Sequence, residues 1–169
     1  MLRIIWPDKL LGLGIKHCLD RVGMAFCNDM PLELESLRKA VESLRELLTK
    51  TEDPVFIKTL DSITRKGLRA GAILNFEVTY ELCWKFMKRW LEANLGSTYV
   101  DGVSKKELFR LAAEHQLIAD ASVWCDYHRA RNETSHAYAE DKAEEVYAMA
   151  VRLGEDSKMF LTRLEKKND

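Results

Sequence analysis

The strongest constraint on the fold is the spacing of apolar residues, which repeats with the period of an α-helix through most of the chain. From residue 34 the apolar side chains recur at steps of three and four, at Leu34, Leu37, Val41, Leu44 and Leu48. This spacing places them on one face of a helix. Asn28 or Asp29 can cap that helix, with Pro31 in its first turn. The segment is therefore predicted to be amphipathic and half-buried.

The segments that follow keep the same period and are separated by helix-capping and helix-breaking residues. Asp53 and Pro54 mark a break, after which a short helical segment leads through Gly67 and Gly71. A long aromatic-rich helix then ends near Gly96, with its apolar face formed by Ile73, Phe76, Tyr80, Cys83, Trp84, Met87, Trp90 and Leu91.

Capping residues also mark the last three predicted helices. Ser104 and Glu107 form an S-x-x-E capping box that opens one helix. Asp120 or Ser122 can cap the next, and the last helix is expected from about Ala139.

The fold predicted from these patterns is all-α, because no segment alternates with period two. We expect an antiparallel up-and-down bundle of about five to six helices that forms a dimer. Residues 1–29 follow no sustained apolar period, so we interpret them as an N-terminal extension outside the fold, and residues 30–169 as the bundle. With 47% hydrophobic residues the chain can close one core.

Charge and cysteine content exclude several classes of protein. The formal net charge of −1 argues against a protein that coats DNA or RNA without sequence preference. The four cysteines show no C-x-x-C spacing, so we expect reduced thiols and a cytoplasmic protein. The sequence predicts no signal peptide, no membrane span and no cofactor.

Residues 131–138, with the sequence RNETSHAY, contain the side chains best suited to phosphate chemistry. Arg131 and His136 would stabilise a phosphoryl group and move protons, while Asn132 and Ser135 are candidate supporting residues. On an unbroken helix Arg131 and His136 would point about 140° apart. Either the helix ends between them, or the arginine curls round, or two copies combine their groups across a dimer axis.

Other candidates have simpler structural interpretations. Arg131 itself could be an ordinary helix-end residue that pairs with Glu133 or Asp126. Glu77 and Glu81 are expected to pair with basic neighbours. No metal site is predicted, because Asn132 interrupts the spacing of His128 and His136. The tryptophans Trp84 and Trp90 fit packing better than base stacking.

Two motifs, in the same order along the chain, resemble motifs of the HEPN family. They are similar to its branch of nucleotidyltransferase substrate-binding proteins. The aromatic helix, FEVTYELCWK from Phe76 to Lys85, is similar to that branch's F-E-x-T-Y-E-L-x-W-K helix. The segment RNETSHAY resembles the R-x4-H-x-Y signature of the wider family. The resemblance implies a dimeric helical bundle that assembles with a separate minimal nucleotidyltransferase.

For the ribonuclease members of the family, Arg131 and His136 correspond to the catalytic pair. The resemblance implies a toxin that cleaves RNA without a metal ion, leaves a 2′,3′-cyclic phosphate, and is controlled by a nucleotidyltransferase antitoxin. Tyr138 corresponds to the tyrosine that such a partner can modify with AMP. The alternatives are a non-catalytic subunit that binds a nucleotide or other substrate, and a helical assembly partner in which the motif only joins subunits.

Overall fold

The computed structural model describes residues 32–134 and 140–168. Within these ranges the chain forms helices and no strand, which confirms the all-α class. The helices are α1 (Glu35–Thr51), α2 (Pro54–Lys58), α3 (Ser62–Leu95), α4 (Ser97–Val100), α5 (Lys105–Glu114), α6 (Ala121–Glu133) and α7 (Glu140–Lys167). The seven exceed the expected five to six because the sequence does not indicate α4, which has only four residues. An apolar period cannot be read over so few residues.

Helix α1 begins later than the sequence suggested. Residues 32–34 are not helical, so the prediction that Pro31 lies in the first turn is wrong. The backbone N–H of Leu32 donates to Asn168 Oδ1 (2.7 Å), and its carbonyl accepts from Asn168 Nδ2 (3.0 Å). These bonds tie the start of the described chain to the end of α7. The predicted apolar face is confirmed, since all five of its residues are buried; Asn28 and Asp29 lie outside the described residues.

Helix α3 runs for 34 residues and joins the segment that contains the two glycines to the aromatic-rich stretch. Asp61 caps it by accepting from the backbone N–H groups of Ile63 and Thr64. The helix continues through Gly67 and Gly71 and ends, as predicted, at Gly96, where φ is +90°. That conformation favours glycine, so this end of the helix is fixed by the residue type.

The sequence predicts a break at Asp53 and caps at Ser104 and at Asp120 or Ser122, and the structure has a side-chain cap at each of these three places. Asp53 caps α2 by accepting from Val55 N and Phe56 N, and Asp120 rather than Ser122 caps α6. The Ser104 hydroxyl accepts from Glu107 N at the start of α5, which is one half of the capping box.

The long helices alternate in direction, as contacts between their side chains show. Helices α1 and α3 are antiparallel, because Thr79 bonds to Ala40 while Asn75 bonds to Ser43. Helix α7 is antiparallel to α1, since Arg38 pairs with Glu165 and Tyr147 bonds to Thr51. It is also antiparallel to α6, where Trp124 packs on Phe160 and Tyr127 bonds to Asp156. The order α1, α3, α6, α7 is therefore up-and-down.

The core is one continuous cluster with an aromatic centre between α3, α6 and α7. Trp124 meets both Tyr127 and Phe160 in edge-on contacts, and Phe76 meets Tyr127 in the same way. On the other side, α1 and α7 approach closely at Gly154, where an added Cβ would lie 2.7 Å from Leu48 Cδ1. Glycine at this position therefore sets the spacing of the two helices.

No helix in the described part of the chain is long and apolar enough to cross a membrane. Cys83 and Cys125 are free thiols. The other two cysteines and the proposed extension, residues 1–29, lie outside the described ranges, so the expectations about them stay predictions.

Candidate active site

The residues of the R-x4-H-x-Y motif lie where α6 ends. Arg131 and Asn132 belong to the last turn of α6, Glu133 is its final residue, and Thr134 caps it with its backbone N–H bonded to the Arg131 carbonyl. Ser135, His136 and Tyr138 lie outside the described residues. The helix thus ends before position 136, which agrees with the first of the three arrangements considered from the sequence.

Arg131 is held against α3 by the Glu81 carboxylate. Its Nε atom lies 3.0 Å from Glu81 Oε1. Nε is buried and, among the described residues, its N–H makes no hydrogen bond, so this contact is a charge–charge contact. The contact uses Nε, and about 40% of the arginine side chain is exposed to solvent. The guanidinium is therefore anchored on one side and accessible on the other.

The pairing of Arg131 with a neighbour in its own helix is wrong. Glu133 faces Lys142 of α7 at 3.8 Å, and Asp126 pairs with Arg129 at 3.0 Å. Both carboxylates are drawn to other cations, and Arg131 crosses to α3.

Glu81 organises a compact cluster of charged and aromatic side chains. Its Oε2 accepts a hydrogen bond from Trp84 Nε1 (2.9 Å) and lies 3.9 Å from Lys85 Nζ. The ammonium group of Lys105, at the start of α5, lies over the Trp84 ring. Glu81 thus pairs with basic neighbours as expected. The Glu81 carboxylate pairs with both Arg131 and Lys85, so the cluster has more positive than negative charges.

A second chain of contacts runs beside Arg131. The Tyr80 hydroxyl lies 2.9 Å from His128 Nδ1, and Asn132 Nδ2 lies 3.4 Å from His128 Nε2. The rings of Tyr80 and His128 are also stacked. With the Asn132 amide donating to Nε2, the imidazole is neutral and its Nδ1–H donates to the tyrosine oxygen. His128 therefore connects α3 to the last turn of α6.

The surroundings shift the pKa values of His128 and Tyr80. Burial lowers the pKa of His128, the Lys105 ammonium lowers it further, and Glu81 partly opposes the shift. Burial raises the pKa of Tyr80, with Glu81 as the next cause. Both groups are therefore favoured in their neutral forms near neutral pH.

Arg131 and Asn132, which the sequence predicts as a catalytic and a supporting residue, share the last turn of α6, but three groups beside them are not predicted. From the sequence, His128 is a candidate only for a metal ligand, and Tyr80 only for an apolar position. No sequence pattern indicates Lys105. The i, i+4 spacing of His128 and Asn132 is the sequence signal that indicates a contact between them. In the described ranges, no group of three carboxylate, imidazole or thiol side chains is placed to hold a metal ion.

Comparison with known proteins gives consistent matches over the described bundle. The model of the family "nucleotidyltransferase substrate binding protein like" matches residues 32–166. A Haemophilus influenzae protein named probable ribonuclease HepT is 35% identical over 138 residues, which are 81% of this chain and 94% of that protein.

Two solved structures are also similar. One, from Haemophilus influenzae, is described as the fold of a substrate binding domain of a nucleotidyltransferase; it has a TM-score of 0.75 and 34% identity, over 78% of this chain and 98% of that one. The other is from Thermus thermophilus, with a TM-score of 0.60 and 28% identity over 76% of this chain and 98% of that one.

The pKa of His128 provides a test of this geometry. We expect its imidazole to titrate below 6.5, and Lys105→Ala to raise its pKa because the change removes both a nearby positive charge and part of the burial. NMR titration of the histidine ring protons measures this, with His128→Gln identifying the signal. Lys106→Ala, at an exposed neighbouring lysine, should leave the pKa unchanged. A His128 pKa at or above 6.5 would contradict the described contacts.

Proposed function

Because the chain belongs to the nucleotidyltransferase substrate-binding protein-like family, we propose that it is a HEPN-type toxin that cleaves RNA without a metal ion. The observation that carries this proposal is the Arg131 guanidinium, held at the end of α6 beside surplus positive charge and still accessible. The 35% identical relative named probable ribonuclease HepT supports the same activity.

The proposed chemistry uses the residue types of the motif. His136 removes the proton from a ribose 2′-hydroxyl, and the 2′-oxygen attacks the adjacent phosphorus. The bond from phosphorus to the 5′-oxygen breaks, and that oxygen takes up a proton. Arg131 stabilises the charge that develops on the phosphoryl oxygens. The products are a 2′,3′-cyclic phosphate and a 5′-hydroxyl, with Asn132 and Ser135 supporting the site.

Removing either member of the proposed catalytic pair tests the activity. We expect His136→Ala and Arg131→Ala each to lower the cleavage rate by about 10²-fold or more, because each removes a group needed in the transition state. The measurement is digestion of a mixed RNA pool in EDTA, with the product ends identified.

Matched controls are available on the same scaffold. Arg129→Ala changes an exposed arginine of the same helix that pairs with Asp126, and His115→Ala changes a histidine that lies beside Trp90. Both should cleave like the wild type, and circular dichroism should show the same helix content throughout. Cleavage that persists in His136→Ala would contradict the assignment.

We also infer that two copies of the chain form the active unit, as the resemblance to the family implies. An exposed apolar patch on α3 supports this. The side chains of Leu74 and Val78 are 59% and 47% exposed. They lie one turn apart, and Val78 precedes Glu81 on the same helix by three residues. A second copy that covers the patch would therefore lie at the edge of the site.

A charge placed in this patch should separate the two copies. We expect wild-type protein to have the mass of a dimer in light scattering and Val78→Glu that of a monomer, because the buried carboxylate would have no partner. Val55→Glu is the matched control, since Val55 is 74% exposed on α2. A dimer that survives Val78→Glu would place the interface elsewhere.

The proposed control by a minimal nucleotidyltransferase acts on Tyr138. Transfer of AMP from ATP to the phenol oxygen, with release of pyrophosphate, would place a negative charge beside the phosphate-binding groups. The added group would also obstruct them. The family description, which names a nucleotidyltransferase, supports a partner of this kind.

Incubation with a cognate nucleotidyltransferase and ATP tests this control. We expect mass spectrometry to find AMP on Tyr138 and the modified protein to lose RNA cleavage. Tyr138→Phe should stay unmodified and active, whereas Tyr147→Phe, at a tyrosine that bonds to Thr51, should be modified like the wild type. Modification at another residue would contradict the role of Tyr138.

A second candidate function is a non-catalytic subunit that binds a nucleotide and presents it to the nucleotidyltransferase. The similar Haemophilus influenzae structure, described as a substrate binding domain of a nucleotidyltransferase, favours it. Under this alternative Arg131→Ala would lose ligand binding, yet the wild-type protein would yield no RNA products at any concentration.

A further inference from the structure

A small cavity opens beside the candidate active site, between α3 and the start of α5. Its volume is about 200 Å³, and it is lined by Trp84, Lys88, Val100, Gly102, Val103, Lys105 and Leu108. The valines, the leucine and the indole form apolar walls, whereas Lys88 and Lys105 contribute ammonium groups. Such a cavity is smaller than a typical drug site and suits one small anionic group with an apolar neighbour.

The two lysines of the cavity differ in how their charges are balanced. Lys88 pairs with Glu92 (3.0 Å) and Asp101 (3.4 Å). Lys105 has no carboxylate within ion-pair distance among the described residues, and its ammonium group lies instead over the Trp84 ring. The charge of Lys105 is therefore the one that an incoming anion would neutralise.

The surroundings of Lys105 make a bound anion favourable. Burial lowers the pKa of Lys105 to about 8; Glu81 opposes this shift, and the positive charges of Lys85 and Lys88 add to it. An ammonium group in these surroundings is destabilised by lost hydration and by like charges. A phosphate would supply the missing negative charge and favour the protonated lysine.

The cavity is connected to the Arg131 site through shared side chains. Glu81 accepts a hydrogen bond from the Trp84 indole and also holds the Arg131 guanidinium. The Lys105 charge is close enough to His128 to lower the pKa of that imidazole. A single strand that lies against Arg131 could therefore reach Lys105 with a neighbouring phosphate.

We propose that the cavity beside Trp84 is a subsite for RNA, in which Lys105 binds a backbone phosphate next to the one held by Arg131. That the ligand is RNA rests on the proposed function. Lys105 would be a binding residue that positions the strand and takes no part in the proton transfers.

The test measures RNA binding by a protein that leaves the RNA intact. In a His136→Ala background, we expect Lys105→Ala to bind a single-stranded oligoribonucleotide about five- to tenfold more weakly, as for one lost charge-assisted contact. The plot of log affinity against log salt concentration should become less steep by about 0.7, which corresponds to one phosphate contact. Lys105→Arg should retain most of the affinity and the full slope.

The control variant in the same background is Lys106→Ala, at the next residue of the same helical turn. Its side chain is exposed and does not line the cavity, so both the affinity and the salt slope should stay those of the parent. Equal affinity and slope in Lys105→Ala and Lys106→Ala would overturn the subsite, whatever the cleavage assay shows. Wild-type protein that leaves RNA intact while Lys105→Ala weakens RNA binding would instead refute the ribonuclease and support the subsite.

Discussion

Helix α3 determines where the other helices can pack, because its buried residues cover a face too wide for one neighbour. At 34 residues it is about 50 Å long. Helices α1 and α7 pack along it, and α4, α5 and α6 contact it as well. Where α6 meets α3, the edge of the buried face carries Tyr80 and Glu81. The polar groups of the site therefore lie at a junction that packing of the core fixes.

At that junction the Glu81 carboxylate has more cationic partners than it can neutralise. It contacts Arg131 and Lys85 directly, and Lys105 is near enough for Glu81 to affect its pKa. A cluster of this composition is costly in the free protein, because like charges are close together and partly dehydrated. A bound polyanion, as proposed for RNA, would relieve this cost. The net charge of the chain, −1, conceals this local excess.

Much of the fold could be predicted from the sequence, since apolar period and caps are local signals. The buried face of α1, the break at Asp53 and Pro54, the cap of Asp120 and the end of α3 at Gly96 all follow from short segments. The break between Lys58 and Ser62, which divides the segment after Pro54 into α2 and α3, is not predicted. Helix α3 passes through Gly67 as the sequence indicates, because a glycine in an exposed helix costs only about 1 kcal/mol, which the packing of the rest of a long helix can outweigh.

The contacts of the site depend on tertiary structure, so the sequence indicates them only weakly. Which carboxylate holds Arg131 depends on how α6 crosses α3, and sequence proximity favoured Glu133 and Asp126. The position of Lys105 over Trp84 likewise depends on the turn between α4 and α5. The sequence predicts both the aromatic helix and the motif, but nothing local indicates that Tyr80 and His128 form the bridge between them.

The contacts of His128 suit it to a structural task rather than to proton transfer. Both ring nitrogens of His128 have partners, in Tyr80 and Asn132, and its lowered pKa favours the neutral ring. An imidazole bonded on both sides must break a contact to exchange a proton with a substrate. His128 is better placed to keep Asn132 and the last turn of α6 in position. This is consistent with the proposal that His136, three residues after Glu133 in the sequence, carries out the proton transfers.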